Sequence, residues 1–144
     1  MLEVLIVVAV FGLLATLAAL SLRSAHMRLR DTQRLSDISA LQSSLRQYWL
    51  EKATYPVSAS LDLGRPGVNA DALTRDGFTS VAEAKPPFYL NHMPIGPKPG
   101  EYYRYQGGAN GYSLRFQTES DTVYGQANVY FAHAGGVDMK DEQK

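Results

Sequence analysis

Cysteine is absent from the 144-residue chain, so no disulfide staples it and no thiolate can act as nucleophile or metal ligand. Net charge is lacking as well, since 14 Lys and Arg balance 14 Asp and Glu. A chain with no basic excess has no electrostatic footprint for a phosphate backbone, and nucleic acid is not expected as a partner. Catalytic signatures are missing: His26, His92 and His133 are scattered, with no H-E-x-x-H spacing and no G-x-S-x-G elbow. This argues against an enzyme and against a resident cofactor. Proline is missing before Pro56, so nothing in the first third of the chain need break a helix.

What is present begins with Leu2–Leu22, an apolar run whose one formal charge is Glu3. About 20 such residues suffice to cross a bilayer as a helix. A helix that is apolar all round needs lipid or other helices of its kind as its surroundings. A cleavable signal peptide would show a basic leader, a shorter apolar centre and a small-residue cleavage site, and this run shows none of them. It passes directly into Arg23–Lys52, where Leu35, Ile38, Leu41, Leu45, Tyr48 and Trp49 recur at steps of three and four, the spacing of one helical face. The pattern predicts one helix from Leu2 to Lys52, roughly 75 Å long, closed at Tyr55 because Pro56 follows it. Residues 1–22 are its membrane-spanning half and residues 23–55 its amphipathic half.

The segment from Glu3 through Val4-Leu5-Ile6-Val7-Val8-Ala9-Val10-Phe11 to Gly12 and Ala15 resembles the start of processed type IV pilins and of type II secretion pseudopilins. The resemblance is strong over residues 2–55 and weak beyond. It implies a single pass through the cytoplasmic membrane with the head outside, processing by a prepilin peptidase and delivery to an assembly platform. Polymerisation with further copies through the N-terminal helices would then give an extracellular or periplasmic filament. In that family the glutamate lies further from the processed end, so the chain is expected to be about two residues short there, with Met1 in question. Arg23, Arg28, Arg30 and Arg34 follow the span and by the positive-inside rule alone would hold the head in the cytoplasm. The family's basic leader reverses that assignment, and we adopt the family orientation.

The assembly residues follow from this reading. Glu3 is expected to pair with the N-terminal amine, carried by Met1, of a neighbouring subunit. Gly12 with Thr16, and Ala15 with Ala19, are small residues four apart that let helices approach closely in lipid. Gly12, of poor helix propensity, is expected to be where the helix loosens, toward Leu20, on assembly. Many pilins close a C-terminal loop with a disulfide, which this chain cannot do.

Residues 56–100 are rich in Pro and Gly and read as a connecting loop, with a short helix around Thr79–Ala84. Residues 101–137 read as an antiparallel sheet of three to four strands. Tyr103 and Tyr105 share one face of Glu101–Gln106, and Tyr112, Leu114 and Phe116 alternate along Tyr112–Glu119, the period of a half-buried strand. A third strand is expected over Val123–His133 with a bulge at Gly125. The fold class is therefore α+β, with the sheet covered by the helix stripe: Leu35, Ile38, Leu41, Leu45 and Trp49 against Tyr112, Leu114 and Phe116. Residues 138–144 read as a charged, frayed tail. Resemblance to the major pseudopilins makes calcium conceivable at Glu119 and Asp121, or at Asp138, Asp141 and Glu142, but no calcium-loop spacing is present. A turn and a solvated tail are the reading adopted. Tyr89–Pro94 followed by Tyr103 and Tyr105 is similar to the major pseudopilins, whereas Gly96-Pro97-Lys98-Pro99 stands where many of them have Asp-Pro-Trp-Gly.

The function implied is that of a structural subunit of a type IV pilus-like filament. The alternatives are a major pseudopilin of a type II secretion system and a monomeric, membrane-tethered domain that binds a ligand through the Gly64–Gly100 loops.

Overall fold

A computed structural model describes residues 2–144; the expectation for Met1 lies outside the described residues. Helix α1 runs unbroken over Leu2–Lys52. It stops where Ala53 turns to a φ of 54°, with its amide still donating to the Trp49 carbonyl at 2.7 Å. Pro56 prevents any resumption.

Eight strands follow among the described residues, in two antiparallel sheets. The larger contains β1 (Ser58–Leu63), β5 (Tyr103–Gly108), β6 (Gly111–Gln117), β7 (Val129–His133) and β8 (Gly136–Asp138), in that spatial order. The smaller has β2 (Ala72–Thr74) between β3 (Gly77–Thr79) and β4 (Phe88–Leu90). The α+β class holds, with five strands in the main sheet rather than three or four.

Tyr103, Tyr105, Tyr112, Leu114 and Phe116 all turn their side chains to the core, where they meet Ile38, Leu41, Leu45 and Tyr48 of α1. β5 and β6 form a tight hairpin with Gly108 opposite Gly111. Gly107 is obligatory in it: a Cβ there would overlap the Tyr105 hydroxyl and the Pro56 carbonyl, which are joined by a 2.6 Å hydrogen bond. That bond ties the end of the helix to the middle of the sheet.

Several sequence expectations change. Residues 56–100 are not a plain loop: they supply β1 and the whole smaller sheet, with Ala70, Ala72 and Leu73 fully buried. Phe78 packs edge-on against Tyr105 at 4.8 Å, and Tyr89 against Tyr48 at 5.7 Å. Strands of three residues between Pro and Gly are too short to show alternation. The segment expected as a helix at Thr79–Ala84 is the end of β3 and a turn in which the Glu83 amide donates to the Ser80 carbonyl. The third strand starts at Val129, because residues 122–125 fold into their own hairpin turn.

Trp49 is 43% exposed and lines an open cleft of about 580 Å³ with Tyr55, Tyr112 and Arg46, so it is not part of the packed stripe. Leu35 lies at the core's edge. The tail is docked rather than frayed. The Lys144 carbonyl accepts from the Tyr112 and Ala134 amides, each at 3.4 Å, and Asp141 accepts from Ser113 Oγ at 2.9 Å.

Candidate functional site

The first half of α1 is unlike the rest of the molecule. An 18-residue window of mean hydropathy 2.7 has none of its residues buried, so it is long and apolar enough to cross a membrane and packs on nothing in the subunit. Phe11 is 68% exposed. At 100° per residue, Gly12, Ala15, Thr16 and Ala19 fall on one face and Glu3 falls about 180° from its centre. The small-residue face and the carboxylate therefore address different neighbours in any bundle of such helices. Thr16 Oγ1 donates to the Leu13 carbonyl at 2.7 Å, which satisfies its hydroxyl within the helix and leaves its methyl and Cα for close packing. Nothing lies within 4 Å of a Cβ placed on Gly12, so its smallness serves no contact inside the subunit.

About two turns beyond the span, an ionic cluster bolts the head to the helix. Arg34 donates to both carboxylate oxygens of Glu101, at 2.6 and 2.8 Å, to Asp31 at 2.7 Å and pairs with Glu119 at 2.7 Å. Arg30 makes a two-pronged contact with Glu119, at 2.9 and 2.7 Å, and Lys98 Nζ lies 2.7 Å from the same carboxylate. Asp31 accepts from the amides of Glu119 and Ser120 and from Ser120 Oγ. Three cations meet three anions, and Arg34 and Asp31 are buried. Such a pair survives burial only because every charge is matched at hydrogen-bond range. Tyr103 extends the cluster by donating to Asp37 at 2.7 Å.

The same geometry occupies one of the metal candidates, Glu119. Both oxygens of Glu119 are engaged by Arg30, with Arg34 and Lys98 alongside, so this carboxylate is already neutralised by side chains. No group of three or more His, Cys, Asp or Glu is placed to hold a metal among the described residues. Asp121 lies apart, exposed beyond Ser120. The cluster itself was not legible as a site: Arg30, Asp31 and Arg34 stand together on the helix, but their partners Glu101 and Glu119 lie far away in sequence.

The cluster makes the head acid-sensitive. The Arg30 guanidinium holds the Glu119 carboxyl far below the usual range, against the opposing effect of burial. Burial pushes Asp31 up, but the Ser120 hydroxyl, the two loop amides and Arg34 more than offset it and leave it lowered. A carboxylate whose folded pKa is depressed contributes stability that is complete above its unfolded value of about 4 and is lost as pH falls through the folded value. The melting temperature of the detergent-solubilised protein should therefore be flat near neutrality and fall below about pH 4. Glu119→Gln should lower it near neutrality and make the acid decline shallower.

Neither a family model nor a solved structure matches the chain. Among curated proteins it is similar to the type II secretion system core protein G of Klebsiella michiganensis, at 28% identity over 126 residues, covering 87% of this chain and 84% of that protein. The likeness thus runs through helix and head alike, and it meets an uncovered apolar helix with one carboxylate near its start and a small α+β head. The chain is similar to a type II secretion core protein over most of its length, which supports the resemblance to type IV pilins and type II secretion pseudopilins and the reading as a pilin-like filament subunit.

Proposed function

We propose that the chain is the major subunit of a short, secretion-type filament, held in the membrane by α1 and recruited from it by helix-to-helix assembly with further copies. The observation that carries this reading is the match to a secretion-system core protein over most of both chains, which favours the pseudopilin alternative over a surface pilus. A helix half that finds no cover in its own subunit supports assembly, because in a filament other copies of the same half supply it.

Glu3, exposed in the first turn of α1, is the proposed assembly trigger. A carboxylate at bilayer depth costs about 2.5–3.5 kcal/mol on insertion scales. A carboxylate and an ammonium 4 Å apart attract by about 4 kcal/mol at an effective dielectric near 20. Pairing with a neighbour's terminal amine is therefore of the size needed to move a subunit from lipid into the filament. Snorkelling to the headgroups and the helix's own positive end would contribute only about 0.3–1 kcal/mol.

Deleting the gene from its native cell should leave folded exoproteins in the periplasm. Glu3→Ala should restore membrane-inserted protein without restoring export or filaments. Unimpaired export together with the loss of long surface filaments would replace the secretion reading with a pilus. Normal filament yield from Glu3→Ala would remove Glu3 from the mechanism.

A further inference from the structure

The end of the head nearest the membrane carries an apolar tip that the packing of the subunit does not explain. Thr122 and Gly125 close a two-residue turn by exchanging backbone hydrogen bonds of 2.8 and 3.1 Å, with Gly125 at a φ of 126°. Val123 and Tyr124 are its two tip residues. Val123 is 85% exposed, more than any other large apolar residue among those described, the spanning helix included. Tyr124 is 43% exposed, with its ring braced edge-on against Phe116 and tilted on Tyr130. The tip is thus held out rigidly rather than left to collapse onto the core.

Its height follows from the helix. Ser120 is bonded to Asp31, and Val123 shares a cleft with Arg28 and Asp31. Arg28 is six residues beyond Leu22, about 9 Å along the axis from the end of the apolar run. The headgroup layer of a leaflet extends about 5–8 Å beyond the hydrocarbon, and spanning helices tilt by about 20° on average. An exposed valine and a tyrosine at this level suit the interface, where tyrosine places its ring among the headgroups and its hydroxyl in water. Arg23 and Arg28, both exposed, lie about 1.5 and 9 Å beyond Leu22 along the axis and bracket the headgroup layer with donors for lipid phosphates. Asp121, exposed, immediately precedes the hairpin, which itself carries no acidic residue.

We propose that the 122–125 hairpin is a second membrane contact, which seats Val123 and Tyr124 in the phospholipid headgroup layer while the subunit waits in the membrane. It fixes the rotation and tilt of the head before assembly and is withdrawn when the subunit leaves the bilayer. The inference rests on α1 spanning the membrane, and the test separates the two.

The absence of native cysteine allows single labels. Val123→Cys, Val57→Cys and Leu14→Cys would each carry an environment-sensitive fluorophore in the full chain. The protein would be reconstituted at low density in vesicles of phosphatidylethanolamine and phosphatidylglycerol containing nitroxide lipids. Val57 is 78% exposed and lies just beyond the far end of α1, about 45 Å from Leu22 along the axis. The label at 123 should lose most of its emission to a headgroup nitroxide and the label at 14 to an acyl-chain nitroxide, with the label at 57 unaffected. A label at 123 that behaves as the one at 57 while 14 is quenched would overturn the hairpin contact alone. So would one shielded only in assembled filaments, since the tip would then serve a neighbouring subunit. Loss of quenching at 14 as well would overturn the span and the contact together.

Discussion

Arg34→Ala should destabilise the head by about 3–5 kcal/mol, the range for removing one partner of a buried ion pair. Arg34 is 2% exposed and touches three carboxylates, those of Asp31, Glu101 and Glu119. Its loss leaves Asp31 buried with only loop amides and Ser120 to meet its charge, and leaves Glu101 without the fork that holds it. The loss would be a large part of the 5–15 kcal/mol that holds a typical domain together. Thermal unfolding of the detergent-solubilised protein, followed by circular dichroism, would show it. Arg34→Lys should recover only part, because an ammonium cannot serve two carboxylates with a planar fork. A loss within 0.5 kcal/mol for Arg34→Ala would mean that the cluster relaxes into water and that the head is clamped elsewhere.

Leu45→Ala should cost about 2–5 kcal/mol, the sum of lost transfer energy and the cavity left behind. Leu45 is 1% exposed and sits in the cluster that joins Ile38, Leu41 and Tyr48 of α1 to Tyr105, Tyr112 and Leu114 of the sheet. The ring-on-ring contacts of Tyr105 and Tyr112 limit how far the sheet can close over the gap, which places the expectation toward the upper part of the range. Leu50→Ala is the control on the same helix: Leu50 is 70% exposed, and a change there should stay within about 0.5 kcal/mol. Equal effects at the two positions would mean that the head does not pack on this face of α1. Trp49 emission cannot serve as the readout, because that side chain is half in water already.

The division between what was legible and what was not follows the distance over which each signal acts. Helix α1 was readable to its ends, Leu2 and Lys52, because its causes are local: an unbroken apolar run, a three-and-four spacing and a proline at 56. The β5–β6 hairpin was readable for the same reason, since Tyr103 and Tyr105 alternate within one strand and Tyr112, Leu114 and Phe116 within the next. Glu3 and the small residues of the apolar half carried the family likeness without any fold.

Hydrophobic spacing placed Ile38, Leu41, Leu45 and Tyr48 on the buried face of α1 but added Leu35 and Trp49 and missed Ser44 as well as Asp31 and Arg34, which continue the buried line toward charge. A buried arginine reads as a surface residue until its partners are known, and here two of them lie 67 and 85 positions away in the chain. The smaller sheet escaped notice because three-residue strands carry no period, and the tail because its docking rests on backbone groups of β6 and on the Ala134 amide. By itself the sequence determined a membrane-length helix continued by an amphipathic half, a strand hairpin to cover it and a resemblance to the pilins and pseudopilins. Only the tertiary structure decided which face of the helix is buried, because the desolvation of Arg34 and Asp31 is tolerable only once the folded head brings Glu101, Glu119 and Ser120 within hydrogen-bond range.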